Sequence, residues 1–187
     1  MLSRFDLVET PLSGLRVILR KPHEDSRGSF ARLFCANELG QLGTNYPIVQ
    51  INHSVTRDRA SVRGLHFQYA PHAETKIVCC LSGEIFDVAV DLRPQSPTFL
   101  HWHAEILSAH NRKSLCIPRG FAHGFQTLVE DCQLLYLHDG YYDRTAEGGL
   151  NVADPRIGIV WPLPIAHLSA RDHGFPLITA EFEGLMP

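Results

Sequence analysis

KIVCCLSGEIFDVAVDL, residues 76–92, reads as two β-strands with a break at Ser82-Gly83. Beyond the break Phe86, Val88, Val90 and Leu92 fall on one face, and Asp87, Ala89 and Asp91 on the other. That period of two predicts a strand with one face in the core. Arg93-Pro94-Gln95-Ser96-Pro97 then turns the chain. Leu100, Trp102, Ala104 and Ile106 alternate again, opposite His101, His103 and Glu105. Further strands are expected over residues 15–19, 48–53, 114–117, 125–128 and 132–137. Helical signal is confined to residues 35–42, two turns ahead of Gly43. Many short strands punctuated by Gly and Pro indicate a sandwich or jelly roll rather than alternating β-α units.

The 187 residues contain no repeat and no dividing linker, so one domain over residues 1–187 is expected. An apolar fraction of 44% supplies a full core, and a net charge of −3 with scattered Lys and Arg argues against nucleic acid as a partner. No signal peptide is expected at the N-terminus, and no run approaches the roughly 20 apolar residues of a membrane helix. The five cysteines (Cys35, Cys79, Cys80, Cys116 and Cys132) form no C-x-x-C pair, and buried reduced thiols are expected. These features together point to the cytoplasm and to no membrane association.

Three polar clusters interrupt the strand pattern. The first is RGLHFQ, residues 63–68, followed by Lys76. The second is IPRGFAHGF, residues 117–125. The third is Tyr136, followed by Tyr141-Tyr142 and Glu147. Each alone is weak, because a single histidine is more often structural than catalytic. Gly120 and Gly124 suit tight backbone turns around His123.

Taken in order and spacing, these clusters resemble the dTDP-4-dehydrorhamnose 3,5-epimerase family. The resemblance extends from DSRG at 25–28 through QxNHS at 50–54, GEIFDVAVD at 83–91 and SPTF at 96–99. It continues through GxxWP at 158–162 to Asp172 and Pro176. It implies an all-β cupin jelly roll with a few short helices. It also implies a homodimer with an exchanged N-terminal segment and no metal or organic cofactor. The implied activity is epimerisation of a nucleotide-linked 4-keto-6-deoxy sugar at carbon 3, carbon 5 or both, in deoxysugar biosynthesis. His66 corresponds to the general base, Asp172 to its orienting carboxylate, Lys76 to the lysine and Tyr136 to the proton-returning tyrosine. Arg63 corresponds to a pyrophosphate ligand, and Arg27 to one reaching across from the neighbouring subunit. His123, Glu147 and Arg171 match substrate contacts, and Gln50 and Asn52 match residues that read the base.

Elementary chemistry supports the set. A near-neutral imidazole can accept the proton beside a ketone, a carboxylate can fix its tautomer, and a lysine can stabilise the enolate oxygen. A phenol on the opposite face can return a proton and invert the centre. Guanidinium groups suit phosphate oxygens.

Three positions depart from the family pattern. Arg32 stands where the family carries a glutamate near the base, exchanging an acceptor for donors. That points to weaker thymidine discrimination, with CDP-linked sugars as alternatives to dTDP-linked ones. Arg171 replaces a common lysine, and Leu137-His138-Asp139 follows Tyr136 where lysine and threonine are usual. Two alternative functions are a metal-dependent cupin, on Pro118-x-Gly120-x-x-His123 with His101-x-His103, and a non-catalytic sugar-binding cupin. The first lacks the usual H-x-H beside His66, and the second has no need of His66, Lys76, Tyr136 and Asp172 together.

Overall fold

The computed structural model describes residues 3–40 and 47–186. One antiparallel sheet runs in the order β1 (Phe5–Glu9), β2 (Arg16–Arg20), β10 (Lys113–Ile117), β7 (Lys76–Ser82), β12 (Cys132–His138) and β5 (Gln50–Thr56). The second runs β13 (Glu147–Gly149), β6 (Val62–Gln68), β11 (Phe121–Thr127), β8 (Glu84–Asp91) and β9 (Trp102–Ser108). A separate hairpin pairs β3 (His23–Asp25) with β4 (Gly28–Phe30), and the helices among the described residues are two single turns, α1 (Ala36–Leu39) and α2 (Ala170–His173). Apart from the hairpins β1–β2 and β8–β9, sheet neighbours are distant in sequence, because from β5 onward most successive strands cross between the two sheets. That is the jelly-roll arrangement expected from the strand pattern.

Inward-facing residues of both sheets make the central core, among them Val78, Cys80, Ile85, Ala89, Leu115, Phe125 and Leu134. The outer faces are covered as well. Val88, Val90 and Leu92 pack under a C-terminal segment that includes Val152, Ile157, Ile178 and Leu185. Ile77 and Cys79 pack on the outside of the six-stranded sheet against Phe5 and Leu39. One core face was expected for residues 84–92, and the structure corrects this: both faces are buried. The Val-rich face lies under the C-terminal segment, whereas Asp87, Ala89 and Asp91 are fully buried on the other. Double coverage also explains the unbroken apolar run of β7, since a strand buried on both sides has no polar face.

The helix expected over residues 35–42 is shorter than its pattern. α1 spans Ala36–Leu39 and closes at Gly40; residues 41 and 42 lie outside the described residues. Cys35 at its N-cap makes no side-chain cap, so little extends the turn. The strand expected at 125–128 begins four residues earlier, at Phe121, because Gly124 lets β11 approach β6 closely. A Cβ on Gly124 would lie 2.8 Å from the Arg63 carbonyl oxygen, and one on Gly64 would lie 2.5 Å from the Gly124 Cα. All five cysteines are free and four are buried. Burial pushes the Cys80 and Cys116 thiols up to about 12. Among the described residues, no helix is long and apolar enough to cross a membrane.

Candidate active site

His66 sits on β6 directly opposite His123 on β11, and on its other side opposite Gly149 of β13. Its Nε2 lies 2.8 Å from Asp172 Oδ1. Asp172 is delivered by α2, where the Ser169 hydroxyl caps the turn by accepting the Asp172 N–H at 3.0 Å. The Gly64 N–H donates to the other carboxylate oxygen at 3.3 Å. Burial works to raise the Asp172 pKa, but the hydrogen bond and charge of His66, with the Gly64 N–H, hold it below the usual range. An ionised Asp172 only accepts, so its bond calls for a proton on His66 Nε2 and leaves Nδ1 as the nitrogen able to accept one; the Arg171 guanidinium beside Nε2 also only donates and does not hydrogen-bond to it in that tautomer. The Phe175 ring packs edge-on against the imidazole at 5.9 Å. His66 retains 27% side-chain exposure and Asp172 only 3%. The ring is thus reachable while its carboxylate is not.

The facing wall belongs to the six-stranded sheet. Tyr136 on β12 presents its ring beside His123, edge-on with centroids 6.2 Å apart. Burial pushes its phenol well above the ordinary tyrosine value, keeping it protonated and able to donate at neutral pH. Lys76, at the start of β7, is buried with its ammonium 3.0 Å from Glu74. His66, Lys76, His123 and Tyr136 share one cavity of about 320 Å³, with Asn52, Ser54, Arg63, His138 and Arg171 also on its lining. A group that can take a proton and a group that can give one therefore stand on opposite walls of the barrel.

The remaining predicted residues divide. Arg171 links the two layers of the site, donating to Glu147 at 2.8 Å and to Asp172 at 3.2 Å, with one nitrogen 2.9 Å from His66 Nε2. Glu147 on β13 also accepts from the Tyr142 hydroxyl at 3.1 Å. Gln50 accepts the Tyr142 N–H through its side-chain oxygen and is not on the cavity lining. Arg27 and Arg32 do not reach the cavity. Arg27 lies on the exposed β3–β4 hairpin, paired with Asp25 at 2.6 Å, and Arg32 pairs with Glu38 of α1.

Sequence reasoning missed Asp87, Glu74 and His138. Asp87 is fully buried and 2.7 Å from His123 Nε2. His138 is buried and lies two residues beyond Tyr136 on the same strand face, so the period of two could have brought it into the site. Asp87 carried the same signal two residues before Ala89, but was read as belonging to a polar face. The alternative metal-binding donors do not converge. His123 is engaged by Asp87, and His103 by Glu105 at 3.1 Å, on β9 at the edge of the sheet. No group of three such side chains among the described residues is arranged to hold a metal ion.

Proton-accepting and proton-donating groups facing each other inside a jelly roll define a cupin-type epimerase. The comparisons agree with this class. The chain belongs to the dTDP-4-dehydrorhamnose 3,5-epimerase family, whose profile matches residues 9–180. It is similar to the dTDP-4-dehydrorhamnose 3,5-epimerase of Salmonella typhimurium, 41% identical over 174 residues, 92% of this chain and 94% of that one. The crystal structure of the Bacillus anthracis enzyme of that name, with TDP and PPi bound, superposes with a TM-score of 0.90 at 38% identity, covering 93% of this chain and 99% of that one. A Legionella pneumophila epimerase in complex with dTDP-4-keto-L-rhamnose has a TM-score of 0.90 at 36% identity, covering 98% and 99%.

Proposed function

We propose that this chain inverts carbon 3, carbon 5 or both of a dTDP-linked 4-keto-6-deoxy sugar. The observation that carries the reading is the placement of His66 and Tyr136 on facing sheets, around one cavity that also holds Lys76. His66 takes the proton from the carbon beside the ketone, and the C–H electrons pass to the carbonyl oxygen as an enolate. Lys76 stabilises that oxygen; one of its three donors engages Glu74, leaving others for the substrate. Tyr136 gives its proton to the opposite face of the same carbon, so the centre inverts. Solvent then takes the proton from His66 and restores the Tyr136 phenol.

Arg63 and Arg171 bind the diphosphate, His123 and Glu147 contact the sugar, and Gln50 and Asn52 meet the base. Arg27 and Arg32 act from the partner in a homodimer; their distance from the cavity of their own chain supports this. So does the exposure of Phe30 (79%) on the same hairpin and of Ile51 (61%) on β5, an edge strand. The whole chain works as one domain, with its N-terminal segment against the partner, although β1 also pairs with β2 within the single chain. Arg32 relaxes thymidine discrimination and admits CDP. A nucleotide-sugar substrate and free thiols support the cytoplasm as its location.

The test is incubation with a panel of nucleotide-linked 4-keto sugars in deuterated water, read by NMR, with and without chelator. Deuterium is expected at carbon 3 or 5 of the dTDP sugar in both conditions. Exchange lost on chelation and restored by one metal would instead favour a metal-dependent cupin.

A further inference from the structure

We propose that Glu74 and His138 form a positioning pair for Tyr136, a role that rests on the epimerase reading above. His138 lies two residues beyond Tyr136 on the same strand, in the stretch Leu137-His138-Asp139 where the family pattern usually shows lysine and threonine. Here its imidazole lies nearly parallel to the Tyr136 phenol, at 18° with centroids 6.1 Å apart. His123 touches the same phenol edge-on. Tyr136 thus stands between two imidazoles, each fixed by its own buried carboxylate: Asp87 for His123 and Glu74 for His138.

The second pair is fully determined by its partners. His138 Nδ1 lies 3.0 Å from Glu74 Oε2, and the other Glu74 oxygen lies 3.0 Å from Lys76 Nζ. An ionised Glu74 only accepts, so Nδ1 carries the ring proton. Nε2 is then free to accept from the Asn52 amide at 3.4 Å. All rotation of the ring is opposed: one nitrogen is held by Glu74, the other by Asn52. Glu74 therefore holds one reacting group directly, Lys76, and steadies another, Tyr136, through His138. Holding the acid within the small tolerance of proton transfer is what such support supplies.

The experiment compares net epimerisation with deuterium wash-in for wild type, His138→Ala, His138→Gln, Tyr136→Phe and the His138→Ala/Tyr136→Phe double variant. Wash-in by His66 needs neither residue on the opposite wall. Removing His138 leaves Glu74 to Lys76 alone, so wash-in is expected to fall by up to about threefold, against about ten- to a hundredfold for epimerisation. His138→Gln keeps a hydrogen-bonding reach to Glu74 without the ring, and decides the matter if the alanine variant does not fold. In the Tyr136→Phe background, His138→Ala is expected to add no further loss of epimerisation relative to wash-in, because it acts through the phenol. Equal losses in both rates, unchanged epimerisation, or single-variant losses that multiply in the double variant would each overturn the pair. A wild type inactive on every 4-keto sugar would instead overturn the epimerase reading itself.

Discussion

The His66 ring is held by a carboxylate that its surroundings keep ionised, and Glu74 is held the same way more strongly. Burial works against the Glu74 charge, but the hydrogen bond from His138 and the charges of Lys76 and His138 lower its pKa from 4.5 to about 2. A depressed carboxylate stabilises the fold above its unfolded pKa and loses that contribution as pH falls through the folded value. The Glu74 contribution is therefore complete above about pH 4.5 and vanishes toward pH 2. A shift of this size corresponds to on the order of 3 kcal/mol. Glu74→Gln is expected to flatten the acid limb of stability between those limits, checked by urea midpoints at pH 7 and pH 3. An unchanged acid limb would place the acid sensitivity elsewhere. The family resemblance proposed His66, Lys76, Tyr136 and Asp172 from the sequence, and the fold brings the first three to one cavity with Asp172 hydrogen-bonded to His66. The carboxylates of the other two histidines were not legible in the sequence, because Asp87 and His123 are 36 residues apart and Glu74 and His138 are 64 apart. Only the folded sheets bring those partners together.

At the scale of elements, strand periodicity located β2, β5, β7–β10 and β12 within a few residues. It misjudged β8 because alternation reports two chemically different faces, not whether each is covered. Ile85 and Ala89 face the central core while Val88 and Val90 face the C-terminal segment, and no local pattern announces that second cover. The same segment brings in α2, whose carboxylate lies 106 residues from His66 in sequence. The turn is too short to be stable alone, so the Ser169 cap matters more than its single hydrogen bond suggests. Ser169→Ala is expected to cost about 1 kcal/mol of stability. It should lower wash-in and epimerisation together, because it loosens Asp172 behind the base rather than Tyr136. Denaturant midpoints and paired NMR rates check this; loss of epimerisation alone would contradict it.

For the molecule as a whole, the barrel supplies two walls, and in the proposed homodimer the partner supplies the rim. The β3–β4 hairpin carries Arg27 and Phe30 outward, and the Arg32 guanidinium is held by Glu38 of its own chain. Against TDP, CDP, UDP and GDP, calorimetry is expected to show a narrow margin for TDP in wild type, widening about tenfold in Arg32→Glu as an acceptor for the thymine N–H returns. A strong TDP preference unchanged in Arg32→Glu would remove Arg32 from base recognition. In the proposed reaction His66 moves a proton at a sugar carbon inside this barrel. The most direct test of that step follows deuterium incorporation from deuterated water into a dTDP-linked 4-keto-6-deoxy sugar by NMR, for wild type and for folded His66→Asn. Incorporation at carbon 3 or 5 by wild type, and a loss of at least about a hundredfold in His66→Asn, is the predicted result. Wild-type incorporation by the folded variant would contradict the account.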